Sequence, residues 1–254
     1  MHQFPPRRIV CLTEETVETL YLLGEQDRIV GVSGYAVRPP QVRREKPRVS
    51  AFISADIPKI LALQPDLVLA FSDLQAGIVA DLVRAGVAIH VFNQRDIAGI
   101  LAMIRTLGAI VDAADRADRL ATGFEERLAR IAATPRPQPK PKVYFEEWDD
   151  PLISGIGWVS ELIEIAGGED VLPKLRFQQA AKDRIISPDV VREAAASGSV
   201  TAGTRSRPCV TIVSSRSSPP SSCSPGPRHL PTGSMRSSRR CGNEDVVNVR
   251  YHSA

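Results

Sequence analysis

The chain has 254 residues, enough for one large domain or for two modest lobes that each bury a core. With 43% hydrophobic and 24% charged residues it has a globular composition, and no apolar run approaches the ~18 residues that a membrane-spanning helix needs. The net charge of +3 is unevenly held: residues 199–254 carry eight Arg against only Glu244 and Asp245, whereas residues 1–198 hold 24 basic and 27 acidic residues, so the body has no nucleic-acid signature.

Residues 1–8 lack the apolar stretch and small-residue cleavage site of a secretory leader. The expectation is a cytoplasmic chain as written, and a periplasmic one if the true N-terminus is missing. Arg8–Leu12 reads as a buried strand. Thr13 then stands as an N-cap, with Glu14 and Glu15 in the positive first turn of a helix that stops at Gly24. Ile29–Val32 is a second strand. After a Pro-rich loop, Asp56 caps a short helix that ends before Pro65. Leu67–Phe71 is a continuous apolar run of the kind buried on both faces of a sheet. A helix through Ile78–Arg84 and a strand at Ala88–Phe92 follow. Strand and helix alternate throughout, which argues for a parallel sheet covered by helices.

From Asp96 to Thr134 the spacing is helical only. Ile97, Ile100, Leu101, Ile104, Leu107 and Val111 mark one helix, and Leu120, Phe124, Leu128 and Ile131 a second, long one. Pro135, Pro137, Pro139 and Pro141 make a stiff spacer. Lys142–Glu146 restarts a strand, Trp158–Ala166 is a helix ended by Gly167-Gly168, and Ser187-Pro188-Asp189 opens another helix. The expected architecture is α/β, two Rossmann-like lobes joined by a long helix with the second lobe incomplete. Residues 1–95 form the first lobe, 96–134 the connecting helices, 135–198 the start of the second lobe, and 199–254 an aberrant or disordered tail rich in Ser, Arg and Pro.

That tail is unlike the body. Residues 199–241 contain twelve Ser, seven Arg and six Pro but one Leu and no acid, and only Val210–Val213 has strand character. It reads either as a disordered basic segment or as GC-rich coding DNA translated out of frame, and the missing sheet of the second lobe favours the shifted frame. Cys11, Cys209, Cys223 and Cys241 form no CxxC pair and the four His are scattered, so neither a metal site nor a disulfide framework is expected.

Several strings resemble the periplasmic-binding-protein family that captures vitamin B12 and iron-siderophores for ABC importers. They are Arg8–Thr13 with Glu18, Gly31–Tyr35 followed by Pro39-Pro40, Ile60–Val68 with its Leu-Gln-Pro-Asp-Leu-Val step, Ala166–Asp170, and Ile186–Val191. The match spans residues 8–197 and is nearest the cobalamin-binding branch, with a signal-less subgroup indicated by Phe71–Gln75 and Glu146–Asp149. The resemblance implies a non-catalytic binding protein: two α/β lobes, a long helix, and a corrinoid (cobalamin-like) ligand in the cleft, bound as ligand rather than as covalent cofactor. It also implies delivery to an ABC permease by a monomer with no membrane insertion and no specific nucleic-acid partner.

In open α/β sheets ligands bind beyond the carboxyl ends of the strands. That rule selects Tyr35, Phe71, Ser72, Asp73 and Trp148, and the resemblance adds Phe52. The flat apolar face of a corrin suits such aromatics, although ordinary core packing and, for Asp73, helix capping are competing readings. Asp189 falls at the permease-docking position of the second lobe, while the matching position of the first is Pro58. No catalytic residues are assigned: the chain has no GxSxG elbow and no Walker loop, and Gly155–Ser160 is only half a dinucleotide loop. Two other ligand readings stay open. Arg38, Arg43 and Arg44 near Tyr35 suit a ferric siderophore, and a cytoplasmic accessory role in corrinoid metabolism would reuse the same fold.

Overall fold

The computed structural model describes residues 4–136, 138–196, 210–214 and 249–250. The chain divides into two compact units, residues 1–131 and 132–254.

In chain order the first unit contains β1 (Ile9–Cys11), α1 (Glu14–Leu22), β2 (Ile29–Ser33), α2 (Val42–Glu45), β3 (Arg48–Ser50), α3 (Ile57–Ala62), β4 (Leu67–Phe71), α4 (Ala76–Arg84), β5 (Ile89–Phe92), α5 (Ile97–Ile110) and α6 (Ala114–Ala132). The five strands form one all-parallel sheet in the order β3-β2-β1-β4-β5. Alternate residues serve opposite faces of that sheet. Ile9 and Cys11 of β1, with Leu67 and Leu69 of β4, join the core built with α1, α5 and α6. Val10, Val68 and Ala70, with Leu12 just beyond β1, join the core built with α3 and α4. Burial on both faces explains why these strands are unbroken apolar runs.

The Pro-Asp step before β4 has a mechanical role. Asp66 accepts from the backbone N–H groups of Arg7 (2.7 Å) and Arg8 (2.9 Å), fixing the start of β1 beside β4. Asp56 caps α3 as its position suggests, accepting from Lys59 N at 2.9 Å. Thr13 occupies the N-cap position of α1, but its hydroxyl makes no cap bond. Strand β3 has no counterpart in the sequence reading, because in Arg48-Val49-Ser50 only Val49 is apolar and buried.

Helices α5 and α6 meet at their smallest residues. A Cβ on Gly108 would lie 2.1 Å from the Cβ of Ala117, so only glycine permits this approach. Outside, Arg105 of α5 reaches Asp118 (2.8 Å), Thr122 (3.3 Å) and Glu125 (2.8 Å) along one face of α6.

The second unit contains β6 (Lys142–Asp149), β7 (Leu152–Ser154), α7 (Gly157–Ile165), β8 (Glu169–Asp170), α8 (Pro188–Ala196), β9 (Val210–Ser214) and β10 (Val249–Arg250). Its sheet runs β10-β9-β6-β7, with β8 also on β6. Only the β6–β7 pair is antiparallel. Strand β9 comes from the one apolar run of the Ser/Arg/Pro-rich stretch; expectations for the rest of 197–254, including the shifted frame, lie outside the described residues. The Gly-Gly-Glu-Asp step is again structural. Gly167 ends α7 at φ +85°, a conformation that favours glycine, and Asp170 accepts from Ser160 and from Leu172 N (2.9 Å). Arg184, 2% exposed, donates to the Glu147 carboxylate and to the Ser154 carbonyl, so the buried cation is paired.

Candidate functional site

In the first unit the chain runs outward from β1 to β3 on one side and from β4 to β5 on the other. The reversal falls between β1 and β4, and the carboxyl ends of those strands are where an open parallel sheet leaves a crevice. Five of the residues selected from sequence stand on this edge.

Tyr35 follows β2, 46% exposed, with its N–H on the Ser33 hydroxyl (3.2 Å). The neighbouring Gly34 N–H donates to Ser50 O (2.7 Å), which holds the Tyr35 turn against the end of β3, two residues before the half-buried Phe52. Phe71 is the last residue of β4 and carries the Arg95 guanidinium 5.1 Å from its ring centroid. Ser72 is 4% exposed and strained at φ +60°. Its hydroxyl accepts from Leu74 N (3.3 Å) and its N–H donates to Phe92 O (2.9 Å). Asp73 is exposed and pairs with Arg95 at 3.5 Å. Capping of the short turn Asp73–Gln75 belongs to Ser72, and α4 has no side-chain cap, so Asp73 does not serve as the cap considered from sequence.

Gln75 is fully buried and organises this edge. Its Oε1 accepts from Phe71 N (3.0 Å), and its Nε2 donates to Leu12 O (3.1 Å) and Phe52 O (2.9 Å). One amide thereby joins the segments that follow β1, β3 and β4. The sequence names it only as part of the Phe71–Gln75 string and assigns it no role, since a glutamine in a turn carries no mark that distinguishes a buried tie from a solvated side chain.

The acids after β1 are also more than first-turn residues. Burial, with Glu15 beside it, pushes the Glu14 carboxyl up to about 7. The Oε2 atoms of Glu14 and Glu15, the Ser50 hydroxyl and Gln94 Oε1 are each buried without a hydrogen-bond partner in the structure. Ile53, 70% exposed, and Leu74, 51% exposed, add apolar surface to the same edge.

Trp148 and Asp189 belong to the second unit. Trp148 lies within β6 rather than beyond it, opposite Ile153 of β7; it is 47% exposed, and its indole N–H donates to Asp150 O (3.0 Å). Asp189 is exposed in the first turn of α8 and paired with Arg192. Pro58 occupies the first turn of α3. Among the described residues no cluster of three or more His, Cys, Asp or Glu is placed to hold a metal ion, and no helix is long and apolar enough to cross a membrane.

A family model described as periplasmic binding protein matches residues 9–191. A vitamin B12-binding protein of Vibrio campbellii is 25% identical over 194 residues, covering 74% of this chain and 70% of that one. Among solved structures, the periplasmic vitamin B12 binding protein of Vibrio cholerae is similar, with TM-score 0.62 and 24% identity over 83% of this chain and 77% of that one. A periplasmic heme binding protein from Pseudomonas aeruginosa is similar as well, with TM-score 0.66 and 20% identity over 82% and 72%.

Proposed function

The chain belongs to the periplasmic binding protein family, and from that premise we propose that it captures a cobalamin-type corrinoid as the ligand-binding component of an ABC-type uptake system. Relatives whose names give vitamin B12 as ligand support this reading. The observation that carries it is the set of buried polar atoms at the carboxyl edge that have no hydrogen-bond partner, the carboxyl oxygens of Glu14 and Glu15, the Ser50 hydroxyl and Gln94 Oε1, together with apolar surface from Tyr35, Ile53, Phe71 and Leu74 on the same edge. A buried acceptor without a donor is costly, and the ligand that best relieves it brings N–H groups around an apolar face. A corrin rimmed with primary amides does so. An amide both donates and accepts, so it also matches a Glu14 that is poised between its two protonation states near pH 7. A ligand with a carboxylate rim, such as heme, brings no N–H groups to these atoms.

In this reading Tyr35, Phe52, Phe71 and Trp148 offer ring faces to the corrin, while Ser72 and Asp73 act through the turn they build. Asp189 would meet a permease arginine in place of Arg192, and the family's second docking position, taken here by Pro58, contributes no charge. No bond is made or broken.

One observation favours a second reading. Arg95 over Phe71 places a guanidinium on the same edge, where it would suit a ligand carboxylate. Titrating the intact chain with cyanocobalamin, haemin and a ferric catecholate chelate, followed calorimetrically and by tryptophan emission, separates them. Saturable binding of cyanocobalamin alone is expected. Saturation by haemin or the ferric chelate with none by cyanocobalamin overturns the corrinoid assignment.

A further inference from the structure

We propose that Gln75 is a positioning residue for ligand capture: a single buried amide that fixes three ligand-facing loops of the first unit relative to one another. For its ligand arm the inference rests on the function proposed above. The three partners of Gln75 lie 63, 23 and 4 residues away in sequence, at Leu12, Phe52 and Phe71. Each stands at the start of a different loop, Phe71 as the last residue of β4. Leu12 precedes the Glu14–Glu15 pair, Phe52 precedes the exposed Ile53, and Phe71 carries Arg95 on its ring. Next to it, Ser72 N–H reaches Phe92 O of β5, so the same turn also holds the strand that leads to Gln94 and Arg95.

The chemistry fits this residue type closely. Two carbonyls need donors and one N–H needs an acceptor, and a carboxamide supplies both from one planar group. Glutamate of the same shape keeps the acceptor but loses both donors, and methionine of similar length loses all three bonds. Among the described residues, no other side chain is seen to join these three segments. Beyond the strand ends Leu12 N still reaches Leu69 O and Ser72 N reaches Phe92 O, but the Leu12 and Phe52 carbonyls and the Phe71 N–H are met by Gln75 and would otherwise be left to solvent or unpaired. A binding face whose loops are fixed before the ligand arrives avoids the entropy of ordering them on binding.

The test uses the intact chain and two variants, Gln75→Met and Gln75→Glu, at a temperature where their far-UV dichroism matches the parent. Hydrogen exchange of the ligand-free proteins is read at residues 12–15, 51–54 and 71–74, and cyanocobalamin is titrated in parallel. Q75M is expected to speed exchange in all three loops by about tenfold or more while β1 and β4 stay protected. Q75E is expected to free 12–15 and 51–54 while 71–74 remains protected through the retained acceptor. Q75M is also expected to weaken cyanocobalamin binding about tenfold or more. If Q75M does not fold, Q75E carries both arms. Uniform loosening of the whole unit, unchanged loops, or parent-like affinity with loosened loops each overturns the proposal. A parent that binds no cyanocobalamin defeats the corrinoid assignment instead, and the loop-by-loop exchange pattern then decides the role of Gln75 without any ligand.

Discussion

Two opposing effects meet at Gly108, and the structure decides between them. Replacing this glycine of α5 by alanine gains about 1 kcal/mol of helix propensity, because glycine is among the poorest residues in a helix interior. The new methyl would lie 2.1 Å from Ala117 Cβ and 3.2 Å from Ala113 O. Carbon atoms in contact sit about 3.5–4.0 Å apart, so α5 and α6 must separate by about 1.5 Å. Ala117 has no rotatable side chain that could move aside. The separation disturbs Leu107, Val111, Ala113 and Ala121, all buried in the same core. Overpacking of this kind costs about 1–3 kcal/mol, and the rigid neighbours place it at the upper end. Net destabilisation by Gly108→Ala is therefore about 2 kcal/mol, a fall in Tm of roughly 4–8 °C. Thermal melts followed by circular dichroism measure it. The double variant G108A/A117G moves the glycine across the interface, cancels the propensity difference and removes the clash, so it should melt near the parent. A G108A protein that melts at or above the parent would refute the close-packing argument.

Three further outcomes are expected. Glu14, raised from 4.5 to about 7, keeps in the folded state a proton that the unfolded chain releases, so the stability it contributes is full at acid pH and is lost as pH rises through that window. Because the group is partly exposed, the loss is on the order of 2 kcal/mol, and Glu14→Gln should flatten the fall in Tm between pH 5 and pH 8. Asp66→Ala removes the acceptor for two backbone N–H groups at the start of β1 and should cost about 1–3 kcal/mol in denaturant melts, with Asp66→Asn recovering part of it. Trp148→Ala should weaken cyanocobalamin binding by about 2 kcal/mol and abolish most ligand-induced quenching, since the other tryptophan is Trp158; unchanged quenching would remove Trp148 from the ligand face.

The architecture was legible wherever one physical effect dominated. β1 and β4 are buried on both faces, so their apolar runs announced them. α5 and α6 showed a 3.6-residue stripe, and Asp56 and Gly167 marked helix ends by capping and by φ. Strand β3 was silent because it rests on one buried valine between two polar residues, and its pairing with β2 comes from tertiary context. β7 was hidden for a similar reason: three residues after a Pro-containing turn carry too little pattern to declare an antiparallel return. On the edge that gathers Tyr35, Phe52 and Phe71, the carboxyl-end rule selected Tyr35 and Phe71, and Phe52 came only from the resemblance, because β3 was silent. The rule could not distinguish Ser72, buried in the turn, from Asp73, exposed beside it. Gln75 and the Glu14–Glu15 pair were missed because their significance lies in partners, present or lacking, that are far away in sequence.

The central position of β1 also governs the order in which the first unit can assemble. Its neighbours are β2 and β4, and no strand adjacent to it in the chain completes its pairing before residue 71 has been made. At about 5–20 residues per second, the ribosome takes about 3–12 seconds to travel from Leu12 to Phe71. Throughout that interval Ile9, Val10, Cys11 and Leu12, each fully buried in the finished protein, have only one of their two flanking strands. The sheet therefore closes around β1 only through a pairing about sixty residues distant, the kind of long-range parallel contact that forms slowly.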